Sequence, residues 1–189
     1  MAWYPRHYIQ PETTIMTIAS TLSEKFRKEV TEIEFRNDLT VQEKADRVIQ
    51  ITCTACAAIA VQPFPIADIF VLTPLQAYMG TRIAAIRGVP VTESEASDLV
   101  KEILGVVGMG VVAQQTAIGL FKTILPFLGG LMTLPLVYGL TFAIMKVIDA
   151  WYEAKSRNAT LTVSDVKAIW QRSRAEGDAQ SRREPNDVK

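Results

Sequence analysis

Histidine and cysteine are nearly absent from this 189-residue sequence. The single histidine is His7, and the two cysteines, Cys53 and Cys56, form one C-x-x-C. A C-x-x-C can be a redox motif or half of a zinc site, but a zinc site normally draws on a second pair of ligands, which this chain lacks. Two small residues one helical turn apart on a packed helix are the simpler interpretation, because free cysteine is commonly buried. We therefore expect no metal, no cofactor and no disulfide framework.

Net charge and catalytic motifs are also lacking. Twenty basic and twenty acidic residues cancel, so the total charge does not favour a nucleic-acid partner. No G-x-x-x-x-G-K-[S/T] motif is present to hold phosphates. Beyond His7 the chain has no histidine to pair with a serine or cysteine nucleophile. The sequence indicates no small-molecule substrate, and we expect a protein that is not an enzyme.

The charges that are present avoid two long segments. Asp68 is the only charged residue from Val48 to Thr81, and Lys122 is the only one from Ile103 to Met145. Uncharged segments of about 20 residues are long enough to cross a bilayer. They are also typical of helices that are buried on all sides in a soluble bundle. Both interpretations remain open from the sequence.

Helical periodicity and three capping boxes predict an all-α protein, a helical bundle containing apolar helical hairpins. The boxes begin at Thr40, Thr92 and Thr162, each with an acidic residue three positions later. No segment of useful length has the alternation of a β-strand. The predicted helices cover residues 15–35, 41–61, 66–86, 93–121, 131–154 and 163–174.

The pattern divides the chain into three regions. Residues 1–39 form an N-terminal arm and an amphipathic helix, and residues 40–156 form the apolar helical domain. Residues 157–189 form a short helix and a charged tail, which we expect to be disordered from residue 175 onward.

Two prolines interrupt the first uncharged segment. Pro63 and Pro65 end one helix, because a residue before proline avoids the α conformation. Asp68 follows where the next helix begins, so we expect a helix–break–helix corner at 62–68. The carboxylate of Asp68 would accept hydrogen bonds from free amides of the new helix.

A functional alternative exists for Asp68. An acidic side chain within an apolar segment is a candidate interaction site. It would face a cavity or a partner and pair with Arg82, Arg87 or Lys122.

The same region resembles a bacterial family called DUF697. The resemblance spans residues 45–155 and is carried by P-x-P-x-A-D followed by L-Q-x-x-M, which includes Pro63, Pro65, Asp68, Gln76 and Met79. Further matching positions are Ala57–Ala60, Tyr78, Arg82–Ala84, Gly88–Pro90, the acidic start at 93–98, Lys122–Gly129 and Tyr138–Gly139. We take the residues of the main pattern, together with Arg82, as candidate structural or interaction residues.

The resemblance implies a helical domain, often predicted to be membrane-bound, that is frequently associated with a P-loop GTPase. Because this chain has no P-loop, such a GTPase would act in trans. Our main hypothesis is a non-catalytic module whose apolar hairpins contact membrane lipid and whose polar flanks face the cytoplasm, following the positive-inside rule. The alternatives are a soluble cytoplasmic scaffold that self-associates, and a pore or membrane-remodelling protein in which Gln114 and Gln115 face water.

Overall fold

The computed structural model describes residue 24 and residues 27–60, 67–108 and 126–182. Within these ranges the chain forms helices and turns and contains no strand, which confirms the predicted all-α bundle. The helices are α1 (residues 27–34), α2 (Val41–Ala60), α3 (Ala67–Ile86), α4 (Glu93–Val107), α5 (Pro126–Ser156) and α6 (Val163–Gln180).

All three predicted capping boxes are present. The hydroxyl of Thr92 accepts a hydrogen bond from the backbone N–H of Glu95, whose carboxylate accepts from the N–H of Thr92 at 2.8 Å. The same reciprocal bonds join Thr40 with Glu43 and Thr162 with Asp165. Because each box satisfies free amides of the first turn, it fixes the start of α2, α4 or α6.

Three helix boundaries differ from the prediction. Helix α4 ends at Val107 rather than near residue 121, because Gly108 adopts a φ of 82°, which a helix cannot continue. Helix α5 begins at Pro126 rather than at residue 131, since proline is favoured in a first helical turn. Helix α6 continues to Gln180, through residues that we expected to be disordered.

Neighbouring helices along the chain run antiparallel, and α3 and α5 run parallel. Gln76 of α3 bonds to Thr141 of α5, and farther along both helices Arg87, just after α3, bonds to Asp149. Helix α2 packs against α3 and α5, and α4 packs against α3. The structure therefore contains the predicted hairpin of α2 and α3, and residues 62–66 of the predicted corner at 62–68 lie outside the described residues.

This topology separates charge along the bundle. At one end, which we call the charged end, α2, α4 and α6 begin and α3 and α5 end. At the opposite end, the uncharged end, α2 and α4 end and α3 and α5 begin. Among the described residues, Asp68 is the only charged one in the last turns of α2 and α4 and the first turns of α3 and α5, and Glu102 lies one turn farther back in α4. Helix α6 is charged over its whole length.

Helix α5 forms the centre of the bundle. Residues 137–145 are all buried, and α5 contacts α2, α3, α4 and α6. The core contributed by the other helices includes Val30 and Ile33 of α1, so the described part of α1 has an apolar face toward the bundle. A helix that is apolar on all sides must be covered, and here the neighbouring helices of the same protein cover residues 137–145.

Helices α5 and α6 approach closely where two glycines meet. A Cβ atom added at Gly177 would lie 3.0 Å from the Cα of Gly139 and 2.8 Å from the Cβ of Phe142. Side chains larger than hydrogen would separate the helices. This contact explains why α6 extends beyond its predicted end, since its last turns pack against α5.

Candidate functional site

The predicted corner is only partly described. Pro63 and Pro65 lie outside the described residues, and Asp68 is the second residue of α3, with its side chain outside the description. A carboxylate in a first helical turn interacts favourably with the free amides and the helix dipole. The proposed partners Arg82 and Arg87 bond to other carboxylates, as set out below.

The most buried charges of the described residues form an ion pair at the charged end. Arg87 donates two hydrogen bonds to Asp149, from Nε to Oδ1 and from Nη2 to Oδ2, each 2.8 Å long. Both side chains are only 7% exposed. Burial by itself lowers the pKa of Arg87, but the hydrogen bonds to Asp149 and the negative charges of Asp149, Glu153 and Asp46 together outweigh burial and raise that pKa above its usual value.

Further polar side chains extend this pair into a network across three helices. Arg87 also donates to Oε1 of Gln42 at 2.7 Å and lies 3.7 Å from the carboxylate of Glu153. Lys146 donates to Asp46 at 2.7 Å. We call this group the polar network, and its members are Gln42, Asp46, Arg87, Lys146, Asp149 and Glu153. It joins the start of α2, the end of α3 and the second half of α5.

A smaller polar contact lies deeper in the bundle. Gln76 donates from Nε2 to the hydroxyl of Thr141 at 3.2 Å, and both side chains are buried. The thiol of Cys56 is hydrogen-bonded to the same hydroxyl. Burial raises the pKa of Cys56 to about 12, so the thiol stays protonated and unreactive at neutral pH. Gln76 thus connects α3 with α5 inside an apolar environment.

Met79 lies in the hydrophobic core, with no exposed surface. Tyr152 of α5 is likewise buried, and burial raises its pKa to about 12. The positions of Met79 and Tyr152 indicate packing rather than a contact with a ligand.

Arg82 joins α3 to α1. Its Nη1 donates to the carboxylate of Glu34 at 3.3 Å, and its guanidinium carbon lies 5.2 Å from the ring centroid of Tyr78. The guanidinium carbon of Arg27 lies 4.6 Å from the same centroid. Tyr78 therefore holds two cations by its π system.

Sequence reasoning missed most of the polar network. Arg87 was considered only as a partner of Asp68, and Asp149 was not singled out. A signal was present, because Asp149 lies only three residues after Lys146, at the end of an otherwise apolar segment. An acid at that position needs a cation, and only the fold identifies Arg87 as that cation.

The remaining observations concern metals, membranes and similarity. In the part of the chain that the structure describes, no group of three or more His, Cys, Asp or Glu is arranged to hold a metal. One helix of that part, Leu134–Ser156, is long and apolar enough to cross a membrane, and 67% of its most apolar window is buried inside the protein.

No family model, curated protein or solved structure matches the chain significantly.

Proposed function

We propose that this chain is a non-catalytic helical module that attaches to a membrane by its uncharged end and contacts a protein partner at its charged end. The observation that carries the proposal is the separation of charge along the bundle. Four helices place their uncharged ends together, and both intervening sequences, 61–66 and 109–125, carry a single charge between them, Lys122. Such an end can contact hydrocarbon without burying many charges.

The contact between α5 and α6 limits how deep the attachment reaches. From Gly139 onward α5 lies beside α6, which carries Arg172, Arg174, Glu176 and Asp178. Placing these charges in hydrocarbon is unfavourable, by about 2.5–3.5 kcal/mol for a basic residue at the centre of a membrane. We therefore propose that the membrane contacts the bundle only beyond the level of Gly139, and that the rest of α5 is a core helix in water.

The charged end supplies the surface for a protein partner in this proposal. Phe35 is 72% exposed and Val41 is 47% exposed, and both flank the charged turn between α1 and α2. An exposed aromatic side chain beside charged residues is typical of interface anchors. The resemblance to DUF697 implies a P-loop GTPase in trans as the partner. By the positive-inside rule this end faces the cytoplasm.

Membrane fractionation tests the attachment. We expect the expressed chain to sediment with membranes and to remain there after high-salt and alkaline washes, because apolar contacts resist both treatments. Recovery of the whole protein in the soluble fraction without detergent would refute membrane attachment.

Gly105 provides a sharper test of which end is attached. It is an exposed residue of α4 near the uncharged end, and a Cβ added there would meet nothing within 4 Å. Gly105→Glu should therefore leave the fold intact and weaken the retention of the protein on membranes. Gly105→Ala should stay on membranes as the wild type does. Ala168→Glu adds the same charge to an exposed position of α6 and is expected to have no effect. Equal retention of all three variants would contradict attachment through this end.

A soluble scaffold is the second candidate, and the burial of α5 favours it. In this proposal the uncharged ends of two copies cover each other, and the chain self-associates in water. Sedimentation of the protein without detergent distinguishes the candidates. A stable soluble oligomer that dissociates on Gly105→Glu supports the scaffold, and a membrane-bound protein excludes it.

A further inference from the structure

Two cations share one aromatic ring at the junction of α1 and α3. Arg27 and Arg82 hold their guanidinium carbons 4.6 Å and 5.2 Å from the ring centroid of Tyr78. Guanidinium groups repel one another, and the negative face of a ring compensates only part of that repulsion. The two guanidinium groups therefore keep positive charge that an anion would neutralise.

The acids around these cations do not balance them. Among the described residues, the only carboxylate that pairs with either arginine is Glu34, at 3.3 Å from Arg82. Lys44 adds a third cation beside Glu34 and donates to its backbone carbonyl rather than to its carboxylate. Glu34 therefore pairs with Arg82 alone, and Arg27 has no carboxylate partner among the described residues.

Hydrogen-bond donors are also in surplus. Arg82 uses one N–H on Glu34, and its Nε is buried without an acceptor among the described residues. A buried donor without an acceptor is unfavourable by about 1–3 kcal/mol, and such groups are rare. Arg27 has an exposed guanidinium whose only contact among these residues is the ring. The N–H groups of two arginines match the oxygens of a phosphate.

We propose that Arg27, Tyr78 and Arg82 form a binding site for a phosphate group. The ligand is either a small phosphate compound or the headgroup of an anionic lipid, which share this chemistry. Arg82 lies about one turn before the end of α3 and pairs with Glu34 at the end of α1, so the site is near the charged end of the bundle.

The first experiment uses inorganic phosphate and needs no membrane. The full-length protein is titrated with phosphate at constant ionic strength, while the Nε–H resonances of Arg27 and Arg82 are followed by NMR. We expect saturable shifts of both resonances. Arg27→Gln should weaken binding at least about tenfold, because a charge-assisted hydrogen bond is lost. Arg172→Gln removes an equal charge from an exposed position of α6 and should leave the affinity unchanged.

The second experiment distinguishes the sources of the phosphate. Vesicles of phosphatidylcholine with and without phosphatidylglycerol are sedimented with wild-type protein, Arg27→Gln and Arg172→Gln. A preference for phosphatidylglycerol that Arg27→Gln alone removes assigns the site to a lipid headgroup. Saturable binding of free phosphate with no such preference assigns it to a small phosphate compound.

Two outcomes would overturn the proposal. One is the absence of saturable binding in both experiments, and the other is an equal loss of affinity in Arg27→Gln and Arg172→Gln.

Because Arg82 also holds α1 through Glu34, Arg82→Lys serves as a second variant that keeps the charge. It should weaken phosphate binding without unfolding the protein. The phosphate titration is independent of membrane attachment, which Gly105→Glu tests separately.

Discussion

The two ends of this bundle are held together by different forces. At the charged end, directional bonds join the helices, above all the paired hydrogen bonds from Arg87 to Asp149. Toward the uncharged end, apolar packing replaces them, as in the buried cluster that contains Cys56, Ala60 and Leu72. Ion pairs specify which groups must meet, whereas apolar packing depends on shape. The uncharged end can therefore exchange protein contacts for lipid more readily than the charged end.

Removing Asp149 should have the largest effect on stability. Asp149→Ala leaves the buried guanidinium of Arg87 without its main partner, and breaking a buried pair in this way typically costs about 3–5 kcal/mol. Chemical denaturation measures the loss. The double variant Arg87→Met with Asp149→Leu should regain most of that stability, because no unpaired charge remains. A loss below about 1 kcal/mol for Asp149→Ala would show that water reaches the pair.

Enlarging Gly177 should disturb the packing of α5 and α6. In Gly177→Ala the new methyl group would lie 2.8 Å from the Cβ of Phe142, and such overpacking costs about 1–3 kcal/mol. Gly105→Ala is the matched control, since its methyl group meets nothing within 4 Å and should stabilise α4 by about 0.5–1 kcal/mol. A melting temperature that falls in Gly177→Ala and rises in Gly105→Ala would support the close contact. A stabilising Gly177→Ala would contradict it.

Removing the hydrogen bond between Gln76 and Thr141 tests whether a buried polar contact stabilises the apolar half of the bundle. Thr141→Val removes the acceptor and leaves the buried amide of Gln76 unpaired, which should cost about 1–3 kcal/mol. Thr54→Val is the control, because Thr54 is exposed and its hydroxyl bonds only to a backbone carbonyl of its own helix. Equal stability of the two variants would mean that the buried contact contributes nothing specific.

The smallest expected effect is a pH dependence at the charged end. Hydrogen bonds from the backbone and hydroxyl of Thr92 hold the pKa of Glu95 below its usual value of 4.5. A lowered pKa stabilises the fold above the unfolded pKa, and this contribution disappears as pH falls through the folded pKa. The stability difference between wild type and Glu95→Gln should therefore shrink as the pH falls below 4.5. A difference that grows on acidification would refute this assignment.

The starts of the helices were predictable because capping is local. Thr92 and Glu95 satisfy amides within their own turn, so a sequence pattern of four residues suffices to identify the helix start. The ends were less predictable. Gly108 ends α4, but glycine also occurs inside helices, as Gly105 does in the same helix. Which glycine takes a positive φ depends on the surrounding chain.

The candidate site was less accessible to sequence reasoning than the fold. The sequence pattern singled out Gln76, Met79 and Arg82, and the structure gives them separate roles in a buried bond, in the core and at the junction with α1. The pairs Arg87 with Asp149 and Lys146 with Asp46 join residues far apart along the chain. No spacing rule connects such residues.

The sequence by itself determined the helical class, the starts of three helices and the two segments from which charge is excluded, because these properties depend on neighbouring residues. Tertiary structure decided that α5 is covered by charged α6, that Arg87 bonds to Asp149 and that Arg27 and Arg82 share the ring of Tyr78. Each of these depends on distances between separate helices, which are set by how the whole bundle packs. An uncharged segment is equally compatible with lipid and with a protein core, and only its neighbours in space distinguish the two.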